Sequence, residues 1–427
     1  MTLKRTLKLP QLVFYGVGTI VGAGIYSVIG AAAGQAGPYL WISFLLAGFA
    51  AFLTVLSYAE LASALPKAGG EYQFLKTAFK QWPLPAFIAG FLICVNAAAT
   101  SATVSIAFAG YLRVFIDAPA VIVSLALLAV CTAVNIRGIG ESTWTSIGLI
   151  CVEVGGLLVM VACGIVGGSW DKLSSPVAPP EPGAIFGATA LIFFVYIGFE
   201  DIINLSEESH EPKRNVPRAL LLSVAITATI YLMVALSVIS LVPIEALRDS
   251  KSPLEAAAAT VSPFAGKTLA VTALFATAST ALISLISISR LMFAMARDGD
   301  MPRPLALLLP GRETPWVAAL VLFAMAAALL PLERVEIVAS ISSFGILLVF
   351  ISVQIAVIRL RYSKPTLSRG FRIPIAIGKC PLIPVVGIVV CAALLTRFEP
   401  IVYAVGCGAL ITGGLVYALQ RRLGKRR

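Results

Sequence analysis

The chain has 427 residues, 59% of them apolar and only 12% charged, with a formal net charge of +11 and a mean hydropathy of +0.95. That balance excludes a soluble globular domain and predicts an integral membrane protein built of apolar helices. The positive charge is not organised into an aromatic-interleaved basic patch, so no nucleic-acid partner is expected.

Predominantly apolar runs occupy about 11–34, 41–64, 86–113, 119–136, 144–168, 186–205, 218–242, 269–297, 315–331, 335–359, 382–396 and 399–420. At 1.5 Å per helical residue most of them match a bilayer core of about 30 Å, which gives twelve candidate transmembrane helices. With a cytoplasmic N-terminus, 25 of the 32 Lys and Arg fall in the inner segments and 7 in the outer ones. This bias puts both termini in the cytoplasm of a cell (plasma or inner) membrane and turns most of the charge toward anionic lipid. Lys4, Arg5 and Lys8 imitate the basic start of a signal peptide. The apolar run behind them is too long and lacks a small-residue cleavage site, so the first helix is expected to stay. The seven cysteines sit almost all in or beside apolar runs without CxxC spacing, which makes them packing residues rather than a disulfide or metal framework. The one histidine, His210, lies in a polar loop, and chemistry that needs a buried histidine is excluded.

In the first run the stretch Gly16-Val17-Gly18-Thr19-Ile20-Val21-Gly22-Ala23-Gly24-Ile25-Tyr26 carries four glycines. They serve close helix packing or, at Gly22-Ala23-Gly24, a break in the helix. In lipid an unwound segment survives only where it is buried or lines a cavity. The second run ends at Tyr58-Ala59-Glu60-Leu61, where Glu60 is expected to snorkel or to pair with a loop cation. The segment Leu65-Pro66-Lys67-Ala68-Gly69-Gly70-Glu71-Tyr72 leads into an amphipathic stretch with Lys76 and Lys80, expected as a short helix along the inner interface. The third run carries Asn96, Thr100, Ser101, Thr103 and Ser105, suited to helix packing or a pocket. The fourth is apolar scaffold ending at Asn135-Ile136-Arg137-Gly138, and Glu141 follows in the loop.

Glu153 stands deep in the fifth run with no local partner of opposite charge. A carboxylate at that depth costs roughly 2.5–3.5 kcal/mol, so it faces a cavity as a protonatable switch or bonds, neutral, to a helix carbonyl. A proline-rich outer loop spans about 169–185. In the sixth run Gly198 interrupts the apolar sequence just before Glu200-Asp201, and the polar loop Glu207 to Arg218 follows. The seventh run is uninterrupted, and the outer loop of about 243–268 reads as partly helical. Thr277, Ser279, Thr280, Ser284, Ser287 and Ser289 recur along the eighth run and can line an ion or proton site or pack against neighbours. The ninth and tenth runs are apolar, and a basic connector at about 359–379 separates them from a final hairpin without buried charge.

Runs one and six are both broken by glycine, five helices apart, and cross the membrane in opposite directions. Paired interruptions of this kind point to an inverted-repeat transporter with its site at the midplane. The repeats are expected at 11–168 and 186–359, with 382–420 a peripheral hairpin, all in one transporter domain over 1–427. The residues also carry a resemblance. Gly22-Ala23-Gly24-Ile25-Tyr26, Tyr58-Ala59-Glu60-Leu61 through Tyr72, Phe193 to Glu200, Glu207-Glu208 to Pro217, and Met295-Ala296-Arg297-Asp298-Gly299 resemble the amino acid–polyamine–organocation superfamily of permeases, in the right order over most of residues 10–300.

The resemblance implies an all-α polytopic membrane protein with a LeuT-type 5+5 inverted repeat and two extra C-terminal helices, moving amino acids by alternating access. It implies that Gly22, Ala23 and Gly24 cradle the substrate carboxylate, where free N–H groups and the positive end of a half-helix agree with it. It implies that the carbonyls of Ile20, Phe194 and Ile197, beside the break at Gly198, receive the substrate ammonium. Phe194 matches an aromatic gate and Glu200 an acid used in gating or proton handling. Glu153 departs from the pattern, falling where several proton-coupled relatives have a lysine between spans one, five and eight. Ser279 and Thr280 fall on the eighth-span side of that site. Glu153 is then either protonated, donating toward the first span's carbonyls, or ionised and holding a cation.

The expected function is secondary active transport of a neutral amino acid in symport with a proton, driven by the gradient of H+ rather than Na+, with no cofactor, metal or catalytic residue. Ala281, at a position where some cationic-substrate exchangers carry tryptophan, adds to the neutral reading. The alternatives are an exchanger for cationic amino acids or polyamines, a sodium-coupled carrier, and a transport-inactive sensor. No HExxH, GxSxG or phosphate-binding loop occurs, so neither an enzyme nor direct ATP drive is expected. The expected partners are the amino acid and the lipid bilayer, with the chain a monomer or homodimer.

Overall fold

The computed structural model describes residues 6–66, 69–138, 143–173 and 182–424. Lys4, Arg5, Lys67, Ala68, Glu141 and the proline-rich stretch 174–181 lie outside the described residues. Gly22 divides the first apolar run into α1 (Leu9–Val21) and α2 (Gly24–Ala36). There follow α3 (Leu40–Ala64), α4 (Gly70–Ala78), α5 (Leu84–Leu112), α6 (Ala120–Arg137), α7 (Thr143–Gly167) and α8 (Pro182–Ile192). The second half of the chain forms α9 (Pro212–Leu241), α10 (Ile244–Asp249), α11 (Pro253–Ala259), α12 (Pro263–Arg297), α13 (Trp316–Ala327), α14 (Val335–Ser363), α15 (Leu382–Leu395) and α16 (Pro400–Gly424). Among the described residues nine helical segments are long and apolar enough to cross a membrane, and Leu9–Val21, Trp316–Leu332 and Leu382–Leu395 are shorter apolar helices. The only paired strands among them form a two-residue antiparallel ladder in the connector after α14, Ala376 opposite Pro381 and Ile377 opposite Cys380.

Burial separates core from periphery. The most apolar window is 72% buried in α5 and in α14 but 17% buried in Pro400–Arg422, so the last helix has the exposure of a lipid-facing element. Ile411, Leu415 and Leu419 of α16, at 56–66% exposure, suit hydrocarbon rather than water.

Three local expectations are refined. The sixth span is not two α-helical halves: α8 gives way to a 3₁₀ turn over Phe193–Tyr196, an extended residue at Ile197, and a 3₁₀ helix over Phe199–Leu205. The amphipathic stretch after the second span does form a helix, α4. It is packed into the bundle end rather than laid on the interface, with Glu71, Tyr72, Phe74 and Leu75 all buried. The loop after the seventh span folds into α10 and α11, and α10 packs so close to α2 that a Cβ on Gly30 would meet the Leu247 carbonyl.

Glu60 pairs with cations that sequence order places some 300 residues away. Arg361 Nε donates to its Oε1 at 2.9 Å, Arg369 Nε lies 3.1 Å from the same oxygen, and the Ile373 N–H donates to Oε2 at 2.9 Å. Glu60 is 1% exposed and Arg361 3%. A buried carboxylate needs such saturation, since removing one partner of a buried pair leaves an uncompensated charge. The pair fastens the end of α3 to α14 and its connector, and Ser63 reinforces it by accepting from the Phe371 N–H at 3.0 Å.

Candidate functional site

The two broken spans cross at their breaks. Gly22 has φ +26° and Gly198 φ +121°, backbone that residues with a Cβ rarely adopt. A Cβ on Gly198 would lie 2.5 Å from the Thr19 carbonyl oxygen, and one on Gly24 would lie 3.0 Å from Val195 Cα. Glycine is therefore required at Gly198 twice over, by dihedral and by contact.

Around the crossing is a cavity of about 570 Å³. Ile20, Gly22, Ala23, Gly24, Phe194, Ile197, Gly198, Glu153, Glu200 and Thr280 all line it. Ser279 is set behind, bonded to Glu153. The cavity continues past Asn96 and Thr100 of α5 and Ser284 and Ser287 of α12 to Gly69–Tyr72, Arg290 and Leu291. Among the described residues no lining side chain comes from α10, α11 or α2 beyond Gly24. The cavity thus occupies the half of the bundle that holds the chain's beginning. Ala281 is fully buried and does not line it, whereas Thr280 and Ile283 do.

The amides and carbonyls freed by the breaks are partly satisfied by neighbouring helices. The Ala23 N–H donates to Thr280 Oγ1 at 3.0 Å. The first intrahelical bond of α2 is Ser27 N–H to Ala23 C=O, which leaves the Gly24, Ile25 and Tyr26 amides ahead of it as the donor end of the half-helix. The Ile20 carbonyl lies 2.8 Å from the Tyr231 hydroxyl, and the Phe194 carbonyl accepts from the Ile197 N–H at 3.3 Å. A carbonyl has two lone pairs, so each retains capacity for a second donor. Glu200 closes its own break, Oε2 accepting from the Gly198 N–H at 2.9 Å.

Glu153, Ser279, Thr280 and Ala23 come together as one contact between α7, α12 and the first break. The Ser279 hydroxyl is 2.7 Å from Glu153 Oε1 and 3.0 Å from the Ala276 carbonyl. A hydroxyl has one proton, so two arrangements fit. Ser279 donates to an ionised Glu153, or it donates to Ala276 while a protonated Glu153 donates to Ser279. Glu153 is 4% exposed.

Tyr231, in the uninterrupted seventh span, is the principal residue that sequence reasoning missed. Its hydroxyl lies 2.8 Å from Ile20 O, 3.3 Å from Val21 O and 3.1 Å from Val195 O, touching both breaks. A tyrosine at the centre of an apolar run needs a partner for its hydroxyl, and that was the available signal. Tyr231→Phe is expected to leave the protein folded and to cut uptake about tenfold, the effect of a lost buried hydrogen bond worth ~1–3 kcal/mol. Initial uptake rates in proteoliposomes, normalised to folded protein, check this.

Glu71 was also missed. It lines the cavity with Glu200, Asp201 and Asn204 and accepts from the Tyr58 hydroxyl at 2.9 Å. Burial raises its carboxyl above the ordinary range, against the lowering by its backbone and Tyr58 hydrogen bonds. The α4 helix it belongs to is held to the end of α12 by a Tyr72–Asp300 hydrogen bond and by Lys76, 3.7 Å from Asp298.

An apolar helical bundle with a half-length cavity floored by two broken helices defines a multi-pass membrane transporter, not an enzyme. The family described as amino acid permease matches residues 7–417, and the chain belongs to it, within the amino acid–polyamine–organocation superfamily. The chain is 28% identical over 446 residues to the branched-chain amino acid permease BcaP of Bacillus subtilis, covering 99% of this chain and 94% of that one. It is 28% identical to the methylthioribose transporter of the same organism, at 99% and 94% coverage. It is 31% identical over 390 residues to the vacuolar cationic amino acid transporter 2 of Arabidopsis thaliana, covering 85% of this chain and 61% of that one. Its substrate is accordingly a small molecule of the amino acid class.

Proposed function

We propose that the chain carries a neutral amino acid across a cell membrane by alternating access, in symport with a proton. The observation that carries the reading is the Glu153–Ser279 contact beside Ala23. It is a single buried carboxyl whose hydroxyl partner accommodates both protonation states, one residue from the hydroxyl that holds a cradle amide. The substrate carboxylate meets the Gly24 amide and competes with Thr280 for that of Ala23, while the Gly22 N–H, expected in the same cradle, is instead bonded to the Gly18 carbonyl at 3.1 Å. The substrate ammonium meets the carbonyls of Ile20, Phe194 and Ile197.

The apolar part of the cavity, from Ile93 and Val104 to Ile283, Ile288 and Ile346, supports a neutral and moderately apolar side chain, and BcaP is named for branched-chain amino acids. Cytoplasmic termini make the cavity inward-facing, with spans one to five and six to ten as the inverted repeats. A second reading, exchange of cationic amino acids or polyamines, is supported by Glu71, Glu200 and Asp201 along the inner cavity and by the cationic transporters among the relatives. The test is proton co-flux. Vesicles enclosing a pH-sensitive dye should acidify when leucine or valine is added outside, with no dependence on sodium. Lysine or arginine uptake without acidification would overturn the reading in favour of exchange.

A further inference from the structure

A second concavity, of about 640 Å³, lies on the outside of the bundle between α1, α7 and α9. Phe14, Val17, Ile150, Leu158, Leu222 and Ile226 form its walls. Phe14, Leu158, Leu222 and Ile226 are 38–50% exposed, so the groove opens sideways, where a membrane protein meets hydrocarbon. One end of it carries Lys8, Arg214 and Arg218, with Glu207, Glu208 and Glu211 in the adjoining loop. Arg214, Arg218, Leu222 and Ile226 recur every four residues of α9 and share one face, so the apolar wall continues into exposed guanidinium groups. Lys8 precedes the groove residue Leu9 at the same end, because the His210 N–H donates to Leu7 O at 2.8 Å and the Thr6 N–H to Glu208 O at 2.9 Å. Arg214 is engaged by Glu211 at 3.9 Å. Among the described residues Lys8 and Arg218 have no ion-pair partner.

We propose that this groove holds an acyl chain of an anionic phospholipid, with the headgroup phosphate between Lys8 and Arg218. A chain of any lipid fills the apolar walls, but only an anionic headgroup balances two exposed cations at the membrane surface. Occupancy bears on the transporter through Ile150, which lines both the groove and the central cavity and packs against Gly18 of α1. A chain seated there braces the first half of the broken span against α7.

The test reads lipid binding directly and does not depend on the substrate or coupling ion. The full chain in neutral detergent is offered phosphatidylglycerol and phosphatidylcholine in equal amounts, and retained lipid is counted by native mass spectrometry. Phosphatidylglycerol is expected to be retained about thirtyfold over phosphatidylcholine, the effect of two surface cations. The double variant Lys8→Gln/Arg218→Gln should lose that preference. Gly155→Leu should lower retention of both lipids, since a Cβ there meets no atom within 4 Å and the side chain grows into the groove. Because a variant can fail to fold, a second measurement uses the unaltered protein. Cys151 is an exposed thiol lining the groove, and phosphatidylglycerol should slow its labelling by a membrane-permeant maleimide several-fold while the exposed Cys407 is unaffected. Equal retention of the two lipids, a preference that survives in the double variant, or Cys151 labelling indifferent to phosphatidylglycerol would each overturn the proposal.

Discussion

Glu153→Gln is expected to abolish concentrative uptake driven by a pH gradient while leaving substrate exchange intact. Glutamine preserves the volume and a hydrogen bond to Ser279, so the contact between α7 and α12 survives, but it neither gains nor loses a proton at working pH. One pH unit is worth about 1.36 kcal/mol per proton, which allows about tenfold accumulation in one-proton symport. The wild-type protein in vesicles with that gradient should approach this ratio, and the variant should equilibrate near unity. Counterflow in preloaded vesicles needs no coupling ion and should persist. Uptake by the variant should also lose its dependence on pH. Gradient-driven accumulation equal to the wild type would remove Glu153 from the coupling step.

Gly198→Ala is expected to impair transport severely, because dihedral and contact both oppose the added methyl group. Forcing φ +121° on alanine costs at least the ~1–2 kcal/mol of a left-handed residue. The added carbon also lies 2.5 Å from the Thr19 carbonyl oxygen, so spans one and six must part or the break must reshape. Transport is expected to fall by about a hundredfold, a loss of ~2.7 kcal/mol in the barrier or the bound state. Gly148→Ala, on a helix with nothing within 4 Å of the new carbon, is the control and should transport normally. Uptake and the monodisperse fraction on size-exclusion chromatography, measured together, separate a damaged site from a damaged fold. Wild-type uptake by Gly198→Ala would mean that the crossing is not tight during transport.

The legible parts of the molecule are those written locally. Apolar runs locate the helices because bilayer thickness fixes how many apolar residues a span needs, and glycine inside such a run locates the breaks because few other residues leave the helix at low cost. Glu153 was legible as a carboxylate where none should be free. The illegible parts are partnerships between distant residues. Nothing near Glu60 announces Arg361 and Arg369, and nothing near Tyr231 announces the carbonyls of Ile20, Val21 and Val195. The burial of α4 was hidden for the same reason: its amphipathic pattern specifies one apolar face, and only the fold supplies Tyr58, Asn204 and Asp300 to satisfy the other. The 3₁₀ winding of the sixth span has no composition signature.

The bond from the Ala23 amide to the Thr280 hydroxyl has a thermodynamic consequence. In the function proposed above, a carboxylate that takes this N–H competes with a side chain of α12, so that part of the affinity at the first break would be set by the eighth span. Linkage makes the exchange reciprocal: whatever proton position at Glu153 and Ser279 eases the release of Thr280 tightens substrate binding by some factor, and bound substrate favours that proton position by the same factor. Substrate and proton would then be read by adjacent residues on one helix turn, with cooperativity arising from a contested donor rather than from a long-range movement.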